Sequence, residues 1–119
     1  MSQVTDPTSG KRTFAGYSDF WPYYVSQHLK PATRQFHFAG TSASLLLIAA
    51  TIIWGQPWLL VALPFAAYGL AWYSHFRIEG NTPATFEHPL YSLRGDFQMY
   101  GLMWSGRMTD EVRRLAAPS

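Results

Sequence analysis

A stretch of 39 residues without a formal charge, from Phe38 to Phe76, constrains the fold of this chain more than any other feature. The nine basic and seven acidic residues all lie outside it. It contains two apolar runs, residues 38–54 and 58–76, separated by Gly55-Gln56-Pro57. At about 1.5 Å per helical residue the runs measure about 25 and 28 Å, close to the thickness of the hydrocarbon core of a bilayer. The stretch therefore predicts two membrane spans.

Lipid offers no partner for a backbone amide, so such runs cross a membrane as helices that satisfy their own hydrogen bonds. Gly55-Gln56-Pro57 suits the tip of a tight hairpin, because glycine ends one helix and proline opens the next. We predict an all-α integral membrane protein, a transmembrane helical hairpin with flanking interfacial helices. The alternative is a buried hairpin in a soluble all-α domain, but the polar remainder is small for covering 39 uncharged residues.

The rest of the chain is divided by composition and by prolines. We predict a disordered polar tail at residues 1–13, a single membrane domain at 14–108 and a short C-terminal helix or tail at 109–119. Within the domain, an interfacial helix should end before Lys30-Pro31. The second span should extend to about Glu79, and another helix should begin near Pro89. The first 37 residues show no signal-peptide pattern, so we expect the first apolar run to remain as an anchor.

Charge sets an orientation and excludes some partners. Lys30 and Arg34 precede the first run, Arg77 and Arg94 follow the second, and the tip between the runs has no basic residue. Basic residues favour the cytoplasmic side, so both termini should be cytoplasmic, in a bacterial inner membrane or in the endoplasmic reticulum. The net charge of +2 gives no reason to expect nucleic acid, and without cysteine the chain has no thiolate metal ligands.

The four histidines should meet at one face of the membrane. An antiparallel hairpin places His37, before the first run, beside His75, at the end of the second. His28 and His88 lie in the segments that flank the same face. His28 and His37 would lie on opposite faces of one continuous helix, but a break at Pro31 lets the two segments fold together. We predict His28, His37, His75 and His88 as ligands of one metal ion; the alternative is that all four are interfacial side chains.

Three further residues are candidates for catalysis. Glu79 lies four residues after His75, on the same helical face, where it could be a ligand or a partner of the histidine. A histidine and carboxylate set with open positions suits non-haem Fe(II) and oxygen chemistry, with zinc as the alternative. Arg94 and Asp96, in the sequence Arg94-Gly95-Asp96, could face the site; the alternative is a turn with a solvated ion pair.

Two blocks of sequence that contain these histidines, residues 28–41 (HLKPATRQFHFAGT) and 72–99 (WYSHFRIEGNTPATFEHPLYSLRGDFQM), resemble a known family. It is the membrane 2-hydroxy-fatty-acid dioxygenase family of fatty-acid α-oxidation, and the resemblance extends from about Tyr17 to Trp104. It implies an Fe(II)- and O2-dependent membrane enzyme that shortens a 2-hydroxy fatty acid by one carbon. By this resemblance His28 and His37 match the family's histidine pair, and His75 and Glu79 match its later histidine and acid.

Two departures from the fungal branch of that family concern the substrate more than the metal. Thr33 stands where the fungal branch has an asparagine, and His88 does not clearly belong to its pattern. We therefore expect a lipid or fatty-acid substrate and O2. The alternatives are a zinc-dependent membrane hydrolase with Glu79 as general base and a non-enzymatic membrane scaffold. Oxygen-dependent turnover would separate the first two functions, and stoichiometric metal would separate both from the third.

Overall fold

The computed structural model describes residues 4–5 and 12–116 and is almost entirely helical. Two short strands, β1 (Val4–Thr5) and β2 (Arg12–Thr13), pair in antiparallel fashion. The helices are α1 (Tyr17–Ser26), α2 (Pro31–Trp54), α3 (Pro57–Glu79), α4 (Pro89–Trp104) and α5 (Met108–Ala116), with a 3₁₀ turn at Ala84–Phe86. The prediction of an all-α protein is thus confirmed, with α2 beginning seven residues before the first apolar run.

Proline and glycine set the helix ends where the sequence predicts them. Pro31 is the first residue of α2, behind an extended Lys30 (φ −83°, ψ 131°). Gly55 ends α2 in the left-handed conformation (φ 62°), and Pro57 opens α3. Gly80 ends α3 with φ 77°. Left-handed backbone favours glycine because it has no Cβ, so these two glycines stop the helices at a low cost in strain.

Helix α3 is not regular along its length. It begins as a 3₁₀ helix (Pro57–Ala62), has π-helical turns at Phe65–Gly69 and His75–Glu79, and is α-helical at Leu70–Ser74. A π-helical turn is wider than an α-helical one and is often found at functional sites. The second π-helical turn begins at His75, which is one of the predicted ligands.

The chain forms two compact units, one of residues 1–29 and 84–119 and the other of residues 30–83. In the first unit α1 packs against α4 and α5, with Tyr24, Phe20 and Met99 fully enclosed. Gly95 of α4 lies directly under the Tyr24 ring, since a Cβ at this position would be 2.7 Å from Tyr24 Cδ2. A side chain at residue 95 would therefore push α1 and α4 apart.

In the second unit α2 and α3 are separated by Gly55-Gln56, and α2 contacts the 3₁₀, π- and α-helical segments of α3. Gly40 allows their close approach, because a Cβ there would be 2.9 Å from the carbonyl oxygen of Ala66. Both helices are long and apolar enough to span a membrane, and only 11% and 17% of their most apolar windows are buried. The core helix of a soluble protein is mostly buried, so the exposed apolar surface weakly favours membrane association.

Some predictions concern residues or boundaries that this structure does not test. The tail at residues 1–13 lies mostly outside the described residues, as do the last three residues of the C-terminal segment. The single domain at 14–108, the crossing of a membrane by the hairpin and the cytoplasmic position of the termini stay predictions.

Candidate metal centre

The centre of the candidate site is a pair of histidines in the second unit. His37 Nε2 and His75 Nε2 are 3.0 Å apart, and the two rings meet nearly edge to face. Both side chains are buried, with exposed fractions of 7% and 2%. Metal–imidazole bonds of about 2.1 Å put two nitrogens about 3.0 Å apart at a right angle. The pair is thus already close to the spacing of two ligands of one ion, as the antiparallel arrangement of α2 and α3 predicts.

The end of α3 fixes the orientation of His75. The N–H groups of Gly80 and Asn81 both donate to the His75 carbonyl oxygen, at 2.8 and 2.9 Å, which closes the π-helical turn. The Asn81 side chain then returns to the same residue, where its Oδ1 accepts a hydrogen bond from His75 Nδ1 at 2.6 Å. An amide oxygen can only accept, so the His75 proton is on Nδ1 and Nε2 keeps its lone pair. The imidazole is thus held in the form that binds a metal.

His28 lies in the connection between α1 and α2, and a hydrogen bond to Nδ1 sets its tautomer as it does for His75. Its Nδ1 donates to the carbonyl oxygen of Tyr24 at 2.6 Å, and its ring stacks on the Tyr24 ring with centroids 4.1 Å apart. A carbonyl oxygen cannot donate, so Nδ1 carries the proton and Nε2 carries the lone pair. Only 1% of His28 is exposed. Histidines that bind a metal usually donate their other ring N–H to an oxygen in this way.

These three histidines form a group. One candidate ligand atom of each of His28, His37 and His75 lies within 4.8 Å of the others. Three buried imidazoles so close together could bind a metal ion, and imidazole suits zinc, copper, iron and nickel. The donor set therefore fits the iron expected from the sequence without singling it out.

Glu79 connects the end of α3 to the start of α2. Its Oε1 accepts a hydrogen bond from the backbone N–H of Lys30 at 2.5 Å, and Lys30 Nζ donates to the Ile78 carbonyl oxygen at 2.7 Å. A carboxylate at the N-terminus of α2 also interacts favourably with the helix dipole. These bonds attach the end of α3 to the start of α2, which keeps His37 beside His75. Glu79 is not in the group of candidate ligands, and its catalytic role stays a prediction.

His88 also lies outside the group of candidate ligands among the described residues. It is the residue before α4, and its ring packs in the first unit against Phe14, Phe20 and Tyr91 at centroid distances of 5.2 to 6.1 Å. In this position the imidazole ring packs as one member of a cluster of aromatic rings. A ligand role for His88 therefore stays an untested prediction, whereas the other three histidines are brought together.

Arg94 and Asp96 contact the tyrosines of α1. The Arg94 guanidinium carbon is 4.0 Å from the centre of the Tyr17 ring, and Asp96 Oδ1 accepts a hydrogen bond from the Tyr24 hydroxyl at 2.5 Å. Burial raises the pKa of Tyr17 to about 12, against an opposing effect of Arg94. Burial, together with the Asp96 charge, raises the pKa of Tyr24 well above its ordinary value. Both phenols are therefore neutral donors at physiological pH, and the catalytic roles of Arg94 and Asp96 stay predictions.

Asn81 is the residue that sequence reasoning missed. In the sequence it stands in Gly80-Asn81-Thr82-Pro83, which is typical of a turn, and nothing in the spacing points to His75. A signal was nevertheless available, because a histidine ligand usually donates its other N–H to an oxygen. The first side-chain oxygens after His75 are those of Glu79 and Asn81, and the structure selects Asn81.

The fold and the site define an α-helical protein with two candidate membrane spans and a buried group of three histidines that could bind a metal. The sequence model of the 2-hydroxy-palmitic acid dioxygenase Mpo1-like family matches residues 14–108. The chain belongs to this family, which confirms the resemblance described from the two histidine blocks. No curated protein and no solved structure matches the chain.

Proposed function

We propose that this protein is an Fe(II)-dependent membrane dioxygenase that shortens 2-hydroxy fatty acids by one carbon. The observation that carries the proposal is the buried group of His28, His37 and His75, in a chain whose family is named for a 2-hydroxy-palmitic acid dioxygenase. The two apolar helices support a substrate with a long acyl chain, because their exposed faces suit lipid.

The reaction balances with O2 as the only oxidant. In 2-hydroxypalmitate the C1–C2 bond breaks, C2 is oxidised from an alcohol to a carboxyl group, and C1 leaves as CO2. One O2 takes up the four electrons that this releases, and one water forms. The products are pentadecanoic acid, CO2 and water. Since the electrons are balanced, no external reductant is consumed.

The chain's own residues would hold the metal and leave room for substrate. The protons on Nδ1 of His28 and His75 are fixed by Tyr24 and Asn81, so that each Nε2 carries the lone pair that a metal ligand needs. Three protein ligands leave open positions on an ion that accepts more than three. Fe(II), when bound there, would supply the chemistry by which O2 oxidises a 2-hydroxy acid.

Turnover tests the proposal directly. Detergent-purified protein is reconstituted anaerobically with Fe(II), given 2-hydroxypalmitate and O2, and assayed for pentadecanoic acid and for O2 uptake. We expect one O2 consumed per pentadecanoic acid formed, and no product from protein loaded with Zn(II). Product from the zinc-loaded protein, or none from a protein that holds stoichiometric iron, would contradict the proposal.

A further inference from the structure

The buried face of α2 holds polar residues beside the candidate ligand His37. Among the 24 residues of this helix only four are buried: Thr33, Arg34, His37 and Gly40. Their spacing places them on one face of an α-helix. The contact of Gly40 with α3, and of His37 with His75, shows that this face points to α3. The first two turns of α2 therefore place buried polar side chains beside the end of α3, whereas the rest of the two helices is mostly apolar.

Arg34 is the only Lys or Arg that is buried among the residues whose exposure is described. Its exposed fraction is 8%, and it precedes His37 by three residues, so the two side chains are neighbours on the helix surface. Enclosing a guanidinium is costly unless anions accompany it. Glu79 supplies one such charge, since it interacts electrostatically with Arg34. Because guanidinium has five N–H donors in a planar fork, Arg34 can also hold a second carboxylate.

The other basic residues near the ends of the apolar runs are less suited to this task. Lys30 is exposed, and its Nζ donates to the Ile78 carbonyl oxygen. Arg77 is exposed, and Arg94 is exposed with its guanidinium over the Tyr17 ring. A carboxylate held by an exposed cation remains hydrated, and such a pair adds little affinity. Arg34 can hold it out of water.

Thr33 provides an independent observation. It is fully buried, and its Oγ1 has no hydrogen-bond partner among the described residues. A buried hydroxyl without a partner costs about 1–3 kcal/mol, and a threonine in a helix can usually bond to a carbonyl oxygen one turn back. Thr33 lies one turn before His37 on the same face. An oxygen atom of a bound ligand would supply the missing partner.

We propose that Arg34, with Thr33, binds the carboxylate of the 2-hydroxy acid and so places C1 and C2 beside the histidine group. This inference rests on the proposed function and adds the residues that position the substrate. It also gives the acyl chain a direction, with the carboxylate beside these buried polar side chains and the tail along the apolar length of α2 and α3. The ligand class is a long-chain acid with a free carboxylate, and an ester should bind poorly.

Equilibrium binding without turnover tests the inference. Radiolabelled 2-hydroxypalmitate and its methyl ester are titrated anaerobically against the iron-loaded wild type, Arg34→Gln, Thr33→Val and the exposed control Arg77→Gln. We expect Arg34→Gln to weaken binding of the acid by about 10- to 100-fold, as loss of a charge-assisted pair does. Thr33→Val should weaken it by about 2- to 10-fold. The ester should bind all four proteins alike, and Arg77→Gln should match the wild type.

The outcomes separate this inference from the function on which it rests. An Arg34→Gln protein that keeps its iron and binds the acid within twofold of the wild type overturns the role of Arg34. If that variant does not fold, Arg34→Lys and Thr33→Val decide, and acid binding by both at the wild-type level overturns the inference. A wild type that binds the acid through Arg34 but never turns it over would instead refute the proposed dioxygenase, while the carboxylate site would stand.

Discussion

Replacing Asn81 by alanine should weaken metal binding although Asn81 touches no metal. The substitution removes the oxygen that accepts the His75 Nδ1 proton at 2.6 Å and leaves the backbone bond from residue 81 to the His75 carbonyl oxygen in place. His75 is 2% exposed, so water does not readily replace the lost partner. The proton then either stays on a buried, unpaired Nδ1 or moves to Nε2, the atom that would bind the metal.

Both outcomes lead to a similar expected loss in affinity for the metal. A buried N–H without a partner costs about 1–3 kcal/mol, and 1.4 kcal/mol corresponds to a factor of ten in affinity. Loss of a hydrogen bond behind a ligating histidine typically weakens metal binding by about 10- to 100-fold, in agreement. We therefore expect a 10- to 100-fold increase in the dissociation constant for Fe(II), measured anaerobically by competition with a chromogenic chelator.

Two companion variants make the experiment specific. Asn81→Asp keeps an accepting oxygen and should bind Fe(II) at least as tightly as the wild type, since a carboxylate makes the imidazole more basic. Thr82→Ala changes the exposed neighbour and should have no effect. If Asn81→Ala bound Fe(II) within twofold of the wild type, the reasoning about His75 would be refuted.

Two further predictions concern the stability of the folded protein. Gly40→Ala should destabilise the hairpin by about 1–3 kcal/mol in detergent unfolding, because its Cβ would be 2.9 Å from the Ala66 carbonyl oxygen. Gly69→Ala, where a Cβ would have open space, is the control, and equal stability of the two variants would contradict the prediction. The raised pKa of Tyr24 means that the folded chain holds this proton more tightly than the unfolded chain. The contribution of Tyr24 to the free energy of unfolding should therefore be complete below a pH of about 10 and decrease as the pH rises above it. A Tyr24→Phe variant that loses as much stability at alkaline pH as the wild type would refute the link to Tyr24.

The sequence predicts the helices of this protein well because their ends depend on local chemistry. Pro31, Gly55 and Gly80 each limit backbone conformation at one position, and each marks a helix end in the structure. Helix α2 begins at Pro31, seven residues before the charge-free stretch, so the absence of charge does not mark where the helix starts. Thr33, Arg34 and His37 lie in the turns that precede the charge-free stretch, and all three side chains are buried.

The candidate site was predictable to the extent that it depends on antiparallel geometry. The approach of His37 to His75 follows from two helices joined by a short connection, and this prediction is confirmed. The partners of the ligands depend instead on how individual side chains pack. Neither the bond from Asn81 to His75 nor the packing of His88 among aromatic rings has a periodicity or spacing that sequence reasoning could use.

The central claim is that the histidine group binds iron, and metal content tests it most directly. Wild type, His37→Ala/His75→Ala and His88→Ala are reconstituted anaerobically with Fe(II), freed of unbound metal and measured by elemental analysis. We predict about one iron per chain in the wild type and in His88→Ala, and none in the double variant. Iron retained by the double variant, or a wild type that binds none, would contradict the account.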